Sequence, residues 1–268
     1  RAYVTEDEFA KYAGIHNLNE DVIRNSYDAV FHLVTSADGA EECYGKETNI
    51  FRREESLEKA REVDTDVMAV WTGTPHLRII DNSTDFDTKL KRLLKEIVAF
   101  LGIPKPLEIE RKFLIEYPDI EFLNSIKTCR RISITQAYLT TPEEGYFRIR
   151  KRGEGDKAVC IKTVKIKISD IKRIEIENYI SKEQYDSYLA QRQYVTGVIS
   201  KDRYCIVDNN TYYELDVYPF WSDRATIEIE LLSEDQRYQL PKFVKLIREV
   251  SSEPDYRNLA LAQKYGKP

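Results

Sequence analysis

The sequence predicts an α/β segment followed by an α+β domain. The centre of that second domain is an eight-stranded antiparallel β-barrel, a tunnel, flanked by helices. Three observations carry this reading. Up to Gly102, short apolar runs alternate with helical patterns, the signature of a parallel layer. Ile103-Pro104-Lys105-Pro106 then interrupts the pattern as a proline-stiffened linker. Beyond it, strand-like segments recur at close spacing to the end of the chain, as in a barrel or sandwich.

In chain order, Tyr27–Val34 and His76–Asn82 are the apolar runs expected as buried parallel strands. Ser56–Val70 reads as a charged helix. Asp87–Leu101 reads as an amphipathic helix whose stripe is Leu90, Leu93, Leu94, Ile97, Val98 and Leu101, ended by Gly102 and Pro104. The eight later strands are expected near 107–116, 132–140, 145–152, 157–164, 171–180, 197–207, 211–217 and 225–232. Short helices are expected near 119–127, 182–190, 236–249 and 256–265. The domains are therefore 1–102 and 107–268, joined by 103–106.

Composition narrows the function classes. The 268 residues carry 41 basic and 46 acidic side chains, a net charge of −5. An acidic balance argues against a nucleic-acid scaffold, and no sequence-specific nucleic acid is expected as partner. Hydrophobic residues make up 42%, enough for a real core, so disorder is excluded. No apolar run approaches the ~20 residues that span a bilayer. Cys43, Cys129, Cys160 and Cys205 lie far apart with no zinc spacing, which suits unpaired thiols in a reducing cytoplasm. The chain starts at Arg1 without a methionine and reads as a fragment.

The chemistry lies in how charge alternates along the strands. Residues two apart share a face. Glu108, Glu110 and Lys112 share one, as do Arg148 with Arg150, Glu175 with Glu177, Lys201 with Arg203, Glu214 with Asp216, and Glu228 with Glu230. Any single strand of this kind is ordinarily a solvated sheet face, and cross-strand salt bridges explain some of the set. Whole strands of one sign fit better with a closed barrel holding its charges inside. Enclosed charges of both signs call for water, cations and a polyanion, because a lone buried ion costs several kcal/mol. A triphosphate with a divalent metal satisfies both. Arg and Lys grip phosphoryl oxygens, and carboxylates hold Mg²⁺ or Mn²⁺.

Leu107-Glu108-Ile109-Glu110-Arg111-Lys112-Phe113 resembles the ExExK signature of CYTH domains, the triphosphate tunnel metalloenzymes. The RxR, Lys, ExE, KxR, ExD and ExE that follow in order extend the resemblance over about 107–268. It implies an eight-stranded tunnel and a triphosphatase or class IV adenylyl cyclase activity using Mg²⁺ or Mn²⁺. By the same resemblance Glu108 and Glu110 help bind metal, and Lys112 lies near the scissile phosphate. Arg148 and Arg150 hold the phosphate chain, Lys162 is a lone phosphate-binding lysine, and Lys201 with Arg203 is a further clamp. Glu175 and Glu177 form a middle acidic pair, facing bases or metal. Glu214, Asp216, Glu228 and Glu230 complete the metal side. The implied catalytic residues are Lys112, Glu228 and Glu230.

The first half resembles the distal part of the P-loop AAA-type module fused upstream of CYTH domains. The carriers are the strand through Val34, the Arg52-Arg53-Glu54 stretch, the helix at Asp64, and Leu77–Asn82. That implies ATP or GTP as partner if a phosphate loop is present. Tyr44-Gly45-Lys46-Glu47-Thr48 is a poor imitation of one. Arg52, Arg53 and Arg61 are candidate nucleotide-lid arginines, with a solvated charged helix as the competing reading. The arrangement is also similar to that of the TRPL translocation defect protein family. This implies an alternative role, binding GTP and an anionic lipid without catalysis. His32 is expected as a core histidine, and Trp71 and Trp221 as packing residues.

Overall fold

The computed structural model describes residues 2–45, 56–102, 107–142, 145–155, 158–191, 195–231 and 233–266. The side chains at 107, 108, 167, 172, 173, 175 and 196 are also outside the description. Arg52, Arg53 and the linker 103–106 lie outside the described residues.

In the N-terminal segment, helices α1 (Glu6–Ile15) and α2 (Glu20–Asn25) precede strand β1 (Val30–Leu33). Helix α3 (Leu57–Trp71), strand β2 (Leu77–Ile80) and helix α4 (Phe86–Phe100) follow. β1 and β2 pair in parallel, Val30 opposite Leu77 and Leu33 opposite Ile80. Local chemistry sets the helix starts. Ser56 caps Lys59 N, and Asp85 caps Thr88 N. Thr5 and Glu8 form a reciprocal capping box that announces α1, an element the hydrophobic pattern did not reveal.

Helix α4 departs from expectation. Four of its six stripe residues are exposed, with Leu94 at 59% and Leu101 at 62%, and Leu93 and Ile97 are half-buried, while Lys89 and Glu96 are its buried residues. Lys89 reaches Val34 O at 2.7 Å and Asn82 Oδ1 at 2.6 Å. The helix is thus held by polar bonds from its charged face.

From Leu107 onward the chain forms one antiparallel sheet. Its strands are β3 (Leu107–Glu116), β4 (Cys129–Thr141), β5 (Gly145–Arg152), β6 (Val159–Lys167), β7 (Lys172–Ile180), β8 (Val195–Asp208), β9 (Thr211–Val217), β10 (Arg224–Leu231) and β11 (Leu246–Glu249). The order is β10-β9-β8-β4-β5-β6-β7-β3-β11, and β10 also pairs β3. The eight expected strands are present, together with helices α5 (Ile120–Ser125), α6 (Lys182–Ala190) and α7 (Asn258–Tyr265).

Two expectations need correction. The helix expected over 236–249 does not form: Pro241 interrupts it, and Leu246–Glu249 is the ninth strand. The even eight-stranded closure is not found either. β3 pairs β10 over Ile109–Glu116 but meets β7 through only Leu107, Glu108 and Ile109. β11 takes the other half of that β3 edge, so the sheet curls into a wall that is not closed along its length.

The β8–β9 connection sets one register tightly. Asn209 (φ 46°) and Asn210 (φ 56°) are a two-residue turn in the left-handed region, which asparagine tolerates. Asp208 therefore faces Thr211, and Arg203 faces Asp216.

Alternation then separates the faces. Ile109, Phe113, Ile115, Tyr204, Ile206, Tyr213, Leu215, Ile227 and Ile229 pack outward with Leu123 of α5 and Tyr238, Leu240 and Phe243. Ala137, Leu139, Phe147 and Ile149 pack with Tyr185 of α6. The opposite face is left to polar side chains. At the end away from the N-terminal segment, α7 comes in close: a Cβ on Gly197 would lie 2.3 Å from Ala262 O.

Candidate active site in the curl of the sheet

The concave face surrounds a cavity of about 1220 Å³. Glu110, Lys112, Arg148, Arg150, Arg152, Lys165, Glu177, Arg203, Glu214, Glu228 and Glu230 line it from seven strands. Buried ions there are matched. Glu228 Oε1 lies 2.6 Å from Lys112 Nζ, and its Oε2 lies 3.3 Å from Arg203 Nη2. Asp216, fully buried, takes two bonds of 2.7 Å from Arg203 and one from Lys201. Arg203 also reaches Glu214. Across the cavity, Glu177 Oε1 accepts from Arg150 at 3.0 Å, Arg148 at 3.3 Å and Thr163 Oγ1 at 2.9 Å.

These neighbours set the protonation states. Burial alone would raise the Glu228 carboxyl, but Lys112 and Arg203 override it and hold it well below the usual carboxylate range. Arg150, His76 and Arg148 likewise hold Glu177 low against its burial. Burial and then Arg203 pull Lys201 down to about 8, with Asp216 opposing. At neutral pH Glu228 and Glu177 are thus ionised and paired with these cations. Arg150 Nε is buried and has no hydrogen bond among the described residues. An unsatisfied guanidinium nitrogen on a residue that lines a cavity is a natural partner for an anion oxygen.

Acids meet across strands. Glu110 is the register partner of Glu230, and Glu228 that of Glu214. Among the described residues, no group of three His, Cys, Asp or Glu side chains is arranged to hold a metal. Pairs of carboxylates fit Mg²⁺ or Mn²⁺ nonetheless. Mg²⁺ is commonly held by one or two carboxylates, with substrate phosphate and water completing its shell. Glu108 and Glu175 sit opposite Arg173 and Lys165 in register.

Lys162 is placed differently from the expectation. It lies on the outer face, opposite Ile149 in register, donates to Tyr188 OH at 3.1 Å, and sits 4.3 Å from the Phe147 ring centroid. Thr163, opposite Arg148, shares the cavity face, and so does Lys165 two residues on. Counting parity from Arg148 would have found Lys165. Arg152, two beyond Arg150, was open to the same count.

The N-terminal segment contributes residues that sequence reasoning missed. Arg78 Nη2 lies 2.6 Å from Glu230, and His76 Nε2 lies 3.5 Å from Glu177 Oε2. The candidate lid arginine Arg61 is instead bonded to Ala37 O at 2.6 Å and Glu41 at 2.7 Å. Asn82 braces the end of β1 through Val34 O, Thr35 O and Asp38 O. His32 bonds Asp64 at 3.2 Å, as expected of a satisfied core histidine.

The CYTH domain matches residues 106–265. The chain belongs to the CYTH family. Among solved structures, the CYTH chain is similar to the inorganic triphosphatase NE1496, with 29% identity over 60% of this chain and 97% of that one and a TM-score of 0.40. A second is the putative adenylyl cyclase HpAC1 from Hippeastrum, a protein with a dominant triphosphatase activity. It shows 16% identity over 46% of this chain and 80% of that one, with a TM-score of 0.34. The S. pombe RNA triphosphatase Pct1 shows 16% identity over 54% and 80%, with a TM-score of 0.30. The search of curated proteins gave no match. No described helix of this CYTH chain is long and apolar enough to cross a membrane.

Proposed function

We propose that this CYTH chain is a divalent-metal-dependent triphosphatase acting on inorganic or organic triphosphate. The observation that carries the reading is the concave face itself. Lys112, Arg148, Arg150 and Arg203 converge there, one guanidinium nitrogen of Arg150 lacks a partner, and acids stand in register pairs beside them. Arg148 and Arg150 grip the phosphate chain by exchanging their shared Glu177 oxygen for phosphoryl oxygens. Lys112 and Arg203, both on Glu228, stabilise charge that grows on the transferred phosphoryl group. Glu110, Glu230, Glu214 and Glu228 would hold Mg²⁺ or Mn²⁺, with Glu108 and Glu175 as further candidates. When bound, the metal supplies Lewis-acid stabilisation and an activated water. Lys201 and Asp216 fix Arg203 in place.

The four thiols are unpaired, which fits a reducing, cytoplasmic setting. We assign 1–102 and 107–268 to separate domains. ATP or GTP binding in the first of them is not needed for the tunnel chemistry.

The test is phosphate release from tripolyphosphate and nucleoside triphosphates with Mg²⁺ and Mn²⁺. Lys112→Ala is expected to lower turnover by about 10²–10³-fold, the scale of losing one transition-state charge contact. Its circular dichroism should stay native. Full turnover in that variant would sink the assignment. Release of pyrophosphate with a cyclic nucleotide would mark a cyclase. Binding of anionic lipid with no turnover would mark a trafficking role.

A further inference from the structure

We propose that the N-terminal segment supplies part of the anion site, with Arg78 as a substrate ligand and His76 beside it. This rests on the triphosphatase reading and adds to it a phosphate-binding group from outside the CYTH sheet.

Alternation in β2 explains the placement. Leu77 is buried with Val34 and Met68, and Ile79 packs beside them. His76 and Arg78 turn the other way and line the cavity. The backbone is built to hold them there. His76 adopts φ 49°, costly for a residue with a Cβ, and strain of this kind persists only where surroundings enforce it. Those surroundings are the rim of the sheet. Gly73, at φ 92°, lies so close to β4 that a Cβ would stand 2.8 Å from Arg130 Cδ. Arg152 donates to Gly73 O, and Arg130 pairs with Asp21. The segment from Gly73 to Arg78 is thus pinned over one end of the cavity.

The chemistry there suits a phosphoryl group. Arg78 forks between Glu230 at 2.6 Å and Glu96 at 3.5 Å. The Arg78 and Glu230 side chains are 19% and 39% exposed, so the pair is open to solvent, which screens its attraction. The pair therefore does little to hold the segment down. Exchange of a carboxylate oxygen for a phosphoryl oxygen costs correspondingly little, and a planar guanidinium matches phosphate in two-pronged geometry. His76 touches Glu177, the carboxylate shared by Arg148 and Arg150, so the new group adjoins the existing clamp.

The experiment uses the full chain, with Arg78→Ala and Arg78→Lys beside the native protein. Tripolyphosphate binding is measured by calorimetry, KM and kcat by phosphate release, and Mn²⁺ affinity separately. Arg78→Ala is expected to weaken tripolyphosphate binding and raise KM by about tenfold, the scale of one charge-assisted contact. kcat should stay within about twofold, and Arg78→Lys should recover part of the loss. Should Arg78→Ala fail to fold, Arg78→Gln keeps the stem and gives the same comparison. Unchanged tripolyphosphate affinity, or a change in Mn²⁺ affinity alone, overturns the proposal and makes Arg78 a counter-ion of Glu230. If native protein binds no tripolyphosphate, the triphosphatase reading falls first. Binding that survives in the native chain and is indifferent to Arg78 overturns only the inference drawn here.

Discussion

The curled sheet and helix α4 obey opposite rules, though both are amphipathic. In the sheet, apolar residues at alternate positions pack under α5 and α6, and the charges between them turn into a shared cavity. In α4 most of the apolar stripe is turned out, and the positions that are buried are the charged Lys89 and Glu96. Where a buried charge faces an opposite charge from a neighbouring strand, the polar face becomes an interior. Where a helix finds specific oxygen acceptors, polar bonds override the hydrophobic pattern. Amphipathicity thus states that two faces differ, and only the partners decide which one is covered.

The most severe way to break the sheet's side of this comparison is Asp216→Ala. It strips the fully buried carboxylate from Lys201 and Arg203 and leaves two enclosed cations. The expected loss is about 3–5 kcal/mol, read as a lower denaturant midpoint. A native midpoint would show that the interior ions are solvated rather than mutually dependent.

The second test sharpens the helix side. Burial foremost, aided by Glu230 and opposed by Arg78, raises the Glu96 carboxyl to about 6 from an ordinary 4.5. Between those values the folded chain holds a proton that the unfolded chain has released. Stability from this group is therefore full below about 4.5 and falls as pH rises to about 6. The loss is about 2 kcal/mol from the displaced titration. Unfolding measured across pH 4.5–6 should show this slope in the native chain and not in Glu96→Gln. A parallel slope in both would place the titration elsewhere.

The smallest effect is expected from the exposed stripe. Leu94→Glu should change unfolding free energy by less than about 0.5 kcal/mol, as for surface positions generally. A loss of 2 kcal/mol would mean that the stripe is covered in solution.

Much of the cavity was legible because a strand's period is two and the charges obey it. Lys112, Arg148, Arg150, Arg203, Glu214, Glu228 and Glu230 all reach the one cavity. Lys162 was misplaced by a single position, since spacing within a motif was followed there instead of parity from a neighbouring strand. Arg78 and His76 could not be read at all: each stands alone in the sequence, and only the docking of β2 on the rim brings them to Glu230 and Glu177. β11 was hidden for a related reason, because an edge strand takes its conformation from the partner that it covers.

The two asparagines between β8 and β9 carry more than a change of direction. Their number fixes that Arg203 meets Asp216, and one added residue would swing every later side chain of that hairpin to the opposite surface. Divergence in such a chain is free to exchange one carboxylate for another, while the length of this turn stays locked. Insertions accepted elsewhere in the molecule should be missing at that corner.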